Sequence, residues 1–505
     1  MSGSETRTLS LLSQDLDTPR GGPERFAALT ILHHPDPERL GERADLRDLD
    51  AGAPVSLSRT TLPFRSPAAP EGRPLDHAGV SREPVWIRRQ GERLVLSTES
   101  QRARARVDGA PLVGERRVSW GELAQRMVLI ELGSAVLLWL HQAEGPPPPL
   151  SWGGMIGVSP LALALREKVA RVGSTPLPCL LLGESGAGKE LVARAIHAHS
   201  PRRDGPWVAM NMAAVPPSVA AAELFGHAKG AFTGAHAERS GCFFRAHGGT
   251  LFLDEIGDTP VDVQPQLLRA LDQGEIQPIG RAPQRVDVRL IAATDADLEQ
   301  AVARGAFRRA LLHRLSGVTL RVSALRERPM DIPLLFSHFL QQELARQGAA
   351  DRLRTPSGER PWLRNALLLH LLSQPFPGNA RELRNLAAQV AMFSHDQPHA
   401  ALAEPLEAPE PAAPDEVEPL TEERVVAAMR ANGWSLRATA SALGISRNTL
   451  VRAIQRSPRL QLPRDLDADT IHDALAAQGS EEAAADALGV SVQGLRLRMS
   501  ALGLR

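Results

Sequence analysis

Tyrosine is absent from this 505-residue chain, and only two cysteines occur, Cys179 and Cys242. The missing tyrosine accompanies an abundance of Ala, Arg, Pro and Gly and is read as compositional bias. The two cysteines lie in apolar or small-residue surroundings without metal-ligand spacing. They exclude a disulfide framework and a cysteine-based metal site, and they fit a reducing, cytoplasmic setting. An excess of charge is also lacking, with 58 Lys+Arg against 58 Asp+Glu. That balance excludes a basic footprint spread over the whole chain, so any nucleic-acid site must be local. No apolar run approaches the roughly 18 residues of a spanning helix, and the longest, Ala135–Leu140, suits a buried strand, so no membrane partner is expected. The opening MSGSETRTLSLLSQDLDTPR has no basic start followed by an apolar stretch, so no secretory signal is expected.

What is present divides the chain. Residues 1–25 are polar and read as disordered. Residues 26–141 hold short strand-like runs between Gly and Pro breaks, among them LTILHH, PVWIRR, RLVLST, MVLIEL and AVLLWLH, which predict a β-sandwich or barrel. Residues 142–153, with Pro146–Pro149, form a stiff linker. Over 154–394, helical segments alternate with apolar strands such as CLLLG, TLFLDEI and VRLIAAT, the pattern of a layered α/β domain. Residues 395–419 make a Pro-, Ala- and Glu-rich linker. The rest is helical and internally repeated. ATASALGISRNTLVRAI from Ala438 aligns without gaps with AAADALGVSVQGLRLRM from Ala483. Each copy reads helix, Gly turn, Ser N-cap, helix, the helix-turn-helix pattern, at 420–460 and 465–505.

Chemistry concentrates in the α/β segment. Gly183, Glu184, Ser185, Gly186, Ala187, Gly188, Lys189 and Glu190 follow an apolar strand and open a helix. Such a loop curls backbone N–H groups round phosphate oxygens, and the lysine reaches the terminal phosphates. Glu190 stands where most such loops place a Ser or Thr, so no hydroxyl is available there for magnesium. Downstream, the apolar strand Thr250–Glu255 ends in two carboxylates. Asp254 is suited to hold Mg2+ through water, and Glu255 to polarise an attacking water.

The blocks GESGAGKE, ELFGHAKGAFTGA, GGTLFLDEIG, LRERPMDI and PGNARELRN occur in order between Ile156 and Leu386. This stretch resembles the central domain of the NtrC-like, sigma-54-dependent enhancer-binding activators, which are AAA+ ATPases using ATP and Mg2+. The resemblance implies a multidomain chain whose AAA+ P-loop domain carries a helical lid. It implies that Asn211 holds the catalytic glutamate, and that Arg308 and Arg314 reach a neighbouring subunit's nucleotide in a hexameric ring. Thr294 and Asp295 would lie beside the γ-phosphate, and Arg381 would sense nucleotide from the lid. Gly230, Ala231, Phe232, Thr233, Gly234 and Ala235 would form the loop that engages sigma-54 RNA polymerase. The chain departs from the family at Asp295, where an asparagine is usual, and at Ala310, Leu312 and His313 beside the arginines.

Residues 424–464 contain eight arginines and no acid, a local charge of +8. This all-α tail resembles a Fis-type helix-turn-helix. Ser446 is its expected N-cap, and Arg447, Asn448, Thr449 and Arg452 are its enhancer-DNA contacts. Residues 465–505 hold three arginines and seven acids, a charge of −4, and read as a degenerate copy that packs or dimerises. The segment 26–141 resembles a forkhead-associated β-sandwich, which implies a phosphothreonine partner, such as a Ser/Thr kinase or its substrate, at Arg59, Ser81 and Arg82. Ser58, Glu83 and Asp108 depart from that pattern. A phosphopeptide site and a sandwich kept for protein contact alone both stay open. For the whole chain, the alternative to an ATP-driven activator is a DNA-binding regulator that uses the AAA+ domain only for assembly.

Overall fold

The computed structural model describes residues 25–100, 103–231, 237–355, 359–402, 422–443, 450–451, 454, 457, 460, 463–502 and 504. The chain divides into two units, Met1–Leu406 and Glu407–Arg505.

The first unit begins with twelve strands: β1 Phe26–His33, β2 Arg43–Asp45, β3 Val55–Leu57, β4 Phe64–Ser66, β5 Ala69–Arg73, β6 Val85–Gln90, β7 Arg93–Ser97, β8 Ala105–Val107, β9 Ala110–Pro111, β10 Glu115–Ser119, β11 Val128–Leu132 and β12 Val136–Ala143. They form two sheets, ordered β5-β4-β2-β1-β12-β11-β8-β9 and β10-β7-β6-β3. Inward residues alternate along the strands that build this core. Leu29, Ile31, Leu138 and Leu140 from the large sheet meet Val85, Ile87, Leu94 and Leu96 from the small one. Helix α1, Trp120–Gln125, follows β10 and starts with a capping box between Ser119 and Glu122.

The large sheet does not stop at this core. All eight residues of β1 are buried. On the opposite face, Leu32, Leu129, Leu137 and Trp139 join a second apolar cluster with Leu334, Phe336, Leu363, Leu368, Leu383 and Val390. A sheet covered on both faces has no solvent side, and that is why AVLLWLH reads as a continuous apolar run.

The covering layer comprises three helices, α5 Ile332–Arg346, α6 Asn365–Leu372 and α7 Asn379–Phe393. They follow an α/β layer made of α2 Pro160–Gly173, β13 Cys179–Leu182, α3 Lys189–Ala198, β14 Trp207–Asn211, β15 Thr250–Asp254, β16 Arg289–Thr294, α4 Arg309–Leu315 and β17 Val318–Arg321. The five strands are parallel in the order β14-β15-β16-β13-β17. Two separate clusters cover the two faces of this sheet, so its strands too are unbroken apolar runs.

In the second unit the described helices are α8 Glu422–Ala431, α9 Leu436–Leu443, α10 Ala468–Gln478, α11 Glu481–Ala487 and α12 Val492–Ala501. Ser480 and Ser491 cap α11 and α12 by accepting from the N–H groups of Ala483 and Gly494. The two copies touch through Trp434, whose Nε1 donates to Asp486 Oδ1 at 2.6 Å. The acidic copy occupies its own arginines: Arg496 pairs with Glu481 at 2.6 Å, and Arg498 Nε donates to the Leu466 carbonyl.

Candidate active site

A cavity of about 720 Å³ opens where β13 and β15 end against the helical layer. It lies at the carboxyl end of parallel strands, the place where an α/β sheet offers its loops to a ligand. One wall is the loop after β13. Gly188 takes a left-handed conformation (φ 103°) and starts α3. Gly186 is also left-handed (φ 75°), and a Cβ there would come within 2.3 Å of the Gly378 carbonyl. Only glycine admits that approach.

Lys189 is buried. Its Nζ donates to Gly183 O at 2.8 Å and to Glu184 O at 3.4 Å, and it lies 3.6 Å from Glu255 Oε1. A buried ammonium held chiefly by carbonyls and one carboxylate is ready for a polyanion. Glu190 is exposed at the edge of the cavity and pairs with Arg194 at 2.8 Å. Asp254 and Glu255 both line the cavity. Burial pushes both carboxyls above their ordinary pKa range. Glu255 sits in left-handed backbone (φ 51°), a conformation that costs a non-glycine residue energy and that is concentrated at functional sites.

The other predicted residues divide. Asn211 Nδ2 donates to Asp254 Oδ2 at 3.5 Å. Its partner is therefore the neighbour of the expected glutamate. The Asn211 Oδ1 meanwhile accepts from Ala213 N and turns the chain after β14. Thr294 is buried, and its Oγ1 accepts from Ala296 N. Asp295 is exposed, and its backbone N–H donates to Glu255 Oε2 at 3.3 Å. The Asp295 carboxylate is one of the charges that raise the Glu255 pKa. Arg381 lines the cavity, and its Nη1 donates to Ser185 Oγ at 2.9 Å. Arg308 and Arg314 do not line it. Both are exposed at α4, where Arg314 pairs with Asp272 at 2.9 Å.

Sequence reasoning missed the far end of the cavity. Met155, Ile156, Leu165, Leu335 and Phe339 make an apolar wall there, rimmed by His338, Gln342, Arg328 and Arg384. The Arg384 guanidinium stacks over the Phe339 ring. LRERPMDI and PGNARELRN held the signal for Arg328 and Arg384, but the wall is assembled from the short Met155–Ile156 strand and a helix about 180 residues later.

Of the loop expected to engage sigma-54 RNA polymerase, Gly230 and Ala231 are described, and Gly230 is left-handed (φ 79°). Phe232, Thr233, Gly234 and Ala235 lie outside the described residues, as do Ser446, Arg447, Asn448, Thr449 and Arg452. On the sandwich, Arg59 Nε and Nη2 donate to the carbonyls of Val80 and Ala78. Ser81 Oγ accepts from Glu83 N, and Arg82 is exposed. Asp108 accepts from Leu129 N and pairs with Arg126 at 2.8 Å, which orients its carboxylate into the sheet end.

Residues 155–321 match the family model of the sigma-54 interaction domain, 326–408 that of the AAA+ ATPase lid domain, and 418–456 that of the Fis family of bacterial regulatory proteins. The transcriptional regulatory protein ZraR of Escherichia coli K12 is 42% identical over 325 residues, which cover 62% of this chain and 71% of that protein. The chain belongs to the NtrC-like family of sigma-54 regulators. The regulator NtrC of Rhizobium meliloti is 48% identical over 244 residues, 48% of each chain. This NtrC-like chain thus spans about half the length of the NtrC proteins it matches. A solved structure of NtrX from Brucella abortus in complex with ADP is 32% identical over 59% of this chain and 69% of that one, with a TM-score of 0.45. The segments matched by these three models lie beyond the β-sandwich. Among the described residues, no helix is long and apolar enough to cross a membrane.

Proposed function

We propose that this chain is a sigma-54-dependent transcriptional activator that hydrolyses ATP to remodel the polymerase closed complex. The observation that carries the reading is the convergence of Lys189, Asp254, Glu255 and Arg381 on one cavity with an apolar far wall. The phosphate end and the base end of a nucleotide each find matching chemistry there. Lys189 binds the terminal phosphates. Glu255 accepts a proton from the attacking water, and its burial makes it a stronger base than a solvated glutamate. Asp254 fits Mg2+ held through water, being a half-buried carboxylate whose protein partners are one backbone N–H and one long amide contact. Magnesium bound there supplies neutralisation of phosphate charge.

Arg308 and Arg314, exposed away from their own cavity, serve a neighbouring subunit's nucleotide, which makes hydrolysis a property of a ring. The 230–235 loop contacts sigma-54, and the arginine-rich helix-turn-helix holds the ring at enhancer DNA. The test is ATPase activity against protein concentration. Specific activity rising with concentration, and lost in Lys189→Ala, supports the reading. A rate that is absent at every concentration favours a regulator using the domain for assembly only, with Asp295 as the first suspect.

A second reading concerns the sandwich. Arg59, Ser81 and Arg82 lie on adjoining loops, and Arg59 N donates to Ser81 O at 3.0 Å. That supports a phosphothreonine contact. The opposing observation is that Arg59 spends Nε and Nη2 on carbonyls, which leaves one terminal nitrogen for phosphate. The large sheet's outer face is packed on the lid, and this favours the sandwich as an internal docking domain.

A further inference from the structure

A glutamate in a phosphate-binding loop is electrostatically misplaced unless its charge is used. Glu184 is such a residue, and its carboxylate faces away from the phosphate cradle. Oε1 and Oε2 accept from Arg326 Nη2 and Nη1 at 2.5 and 2.7 Å, a two-pronged pair. Oε2 also accepts from Asn379 Nδ2 at 3.0 Å. Both partners belong to the lid segment. Asn379 is fully buried, left-handed (φ 53°) and bonded at both ends of its amide. Its Nδ2 also donates to Ser185 O at 3.1 Å, and its Oδ1 accepts from Leu325 N at 2.7 Å.

The next residues continue the contact. Ala380 N donates to Gly186 O at 3.1 Å, and Arg381 reaches Ser185 Oγ. The lid turn is therefore fastened to the outer side of the phosphate loop, one residue after another. Arg381 stands two positions beyond the fastening point, so its guanidinium is held where Asn379 holds the backbone.

We propose that Asn379, with Glu184 and Arg326, forms a latch that positions Arg381 over the nucleotide's phosphates. The inference rests on the nucleotide reading above. Asn379 dominates the latch, because the Glu184–Arg326 pair is half-exposed and solvent screens it. The latch makes the Arg381 contribution conditional: once the turn is loosened, the arginine has nothing to add.

The experiment uses the full-length chain and measures binding of ATP and ADP, with KM and kcat for ATP. Asn379→Asp keeps the shape but sets a carboxylate against Glu184. It is expected to weaken ATP binding roughly tenfold, to raise KM more than it lowers kcat, and to make a further Arg381→Ala change nearly silent. Glu184→Gln in the Asn379→Asp background restores a donor–acceptor pair with the roles exchanged, and is expected to recover much of the affinity. A role in folding alone would not give that recovery. If Asn379→Asp does not fold, Asn379→Gly, which keeps the left-handed turn, takes its place, with the same tenfold weakening and the same silence of Arg381→Ala expected. Wild-type affinity in these variants, or an Arg381→Ala loss that adds in full to theirs, overturns the latch. Absence of ATP binding in the wild-type chain overturns the nucleotide reading itself, so the two failures are distinguishable.

Discussion

Acid should loosen the joint between the β-sandwich and the helical lid, and the structure sets the size of the effect. His33 ends β1 and donates from Nε2 to the Leu363 carbonyl of the lid at 3.0 Å. His34 donates from Nε2 to Leu75 O, while its Nδ1 accepts from Asp36 N. His141 stacks on Trp139 with ring centroids 3.8 Å apart and shares a hydrogen bond with Thr30. All three are buried. Burial lowers His33 to about 3, and His34 and His141 to about 4. These rings are neutral in the fold, whereas in the unfolded chain they protonate near 6.5. The unfolded state therefore binds more protons below pH 6.5, and the stability present above that value is lost as pH falls toward the folded pKa. Between pH 7.5 and 5.5 each ring loses about 1.4 kcal/mol, and the three together about 4 kcal/mol. Burial raises the Glu131 and Asp331 carboxyls, and acid relieves those two groups, so the net loss is smaller. His33→Gln isolates one ring, because Gln places an amide donor near Nε2 without the titration. The assay is chemical denaturation followed by tryptophan fluorescence at both pH values. The variant should lose about 1.4 kcal/mol less than wild type on acidification. Equal losses in the two proteins would refute the assignment of His33 as a buried neutral donor.

Three further outcomes are expected. Thr233→Ala should keep ATPase activity and lose open-complex formation on a sigma-54 promoter, read by permanganate footprinting; normal transcription would remove the loop from the mechanism. Arg447→Ala and Asn448→Ala should each weaken specific enhancer binding by about 1–3 kcal/mol in a mobility-shift titration, whereas deleting 465–505 should leave the salt dependence nearly unchanged, since that copy's Arg496 is already paired. Titration of the full chain with a phosphothreonine peptide should give weak binding that Arg59→Ala abolishes; equal binding of the unphosphorylated peptide would leave the sandwich as a docking domain alone.

Much of the candidate site was legible because its parts are contiguous. The phosphate loop, its lysine and the strand-end carboxylates are short motifs, and their backbone context follows from glycine, helix start and apolar strand. The apolar wall of the cavity was not legible, since Met155 and Phe339 come to line it together only once the lid packs against the α/β layer. Asn211 shows a different limit. A resemblance assigns an asparagine to a role, but the hydrogen bond it makes depends on a side-chain rotation, and here the amide reaches Asp254.

The sandwich shows how a pattern can be read correctly and yet incompletely. AVLLWLH lacks the polar alternation of a half-solvated strand and reads as a buried strand, but the run itself does not say what covers the second face. In a free-standing sandwich, one face of β12 would meet water, so Leu137 and Trp139 would be costly there. Both are instead covered by the lid, at 0% and 4% exposure. The polar contacts agree. Asn365, at the start of α6, donates to the carbonyls of Val136, the first residue of β12, and Gly133, in the β11–β12 turn. An unbroken apolar strand in an otherwise alternating antiparallel sheet is therefore evidence of a second packing partner, and here that partner is the lid that carries Arg381 and the fastening at Asn379.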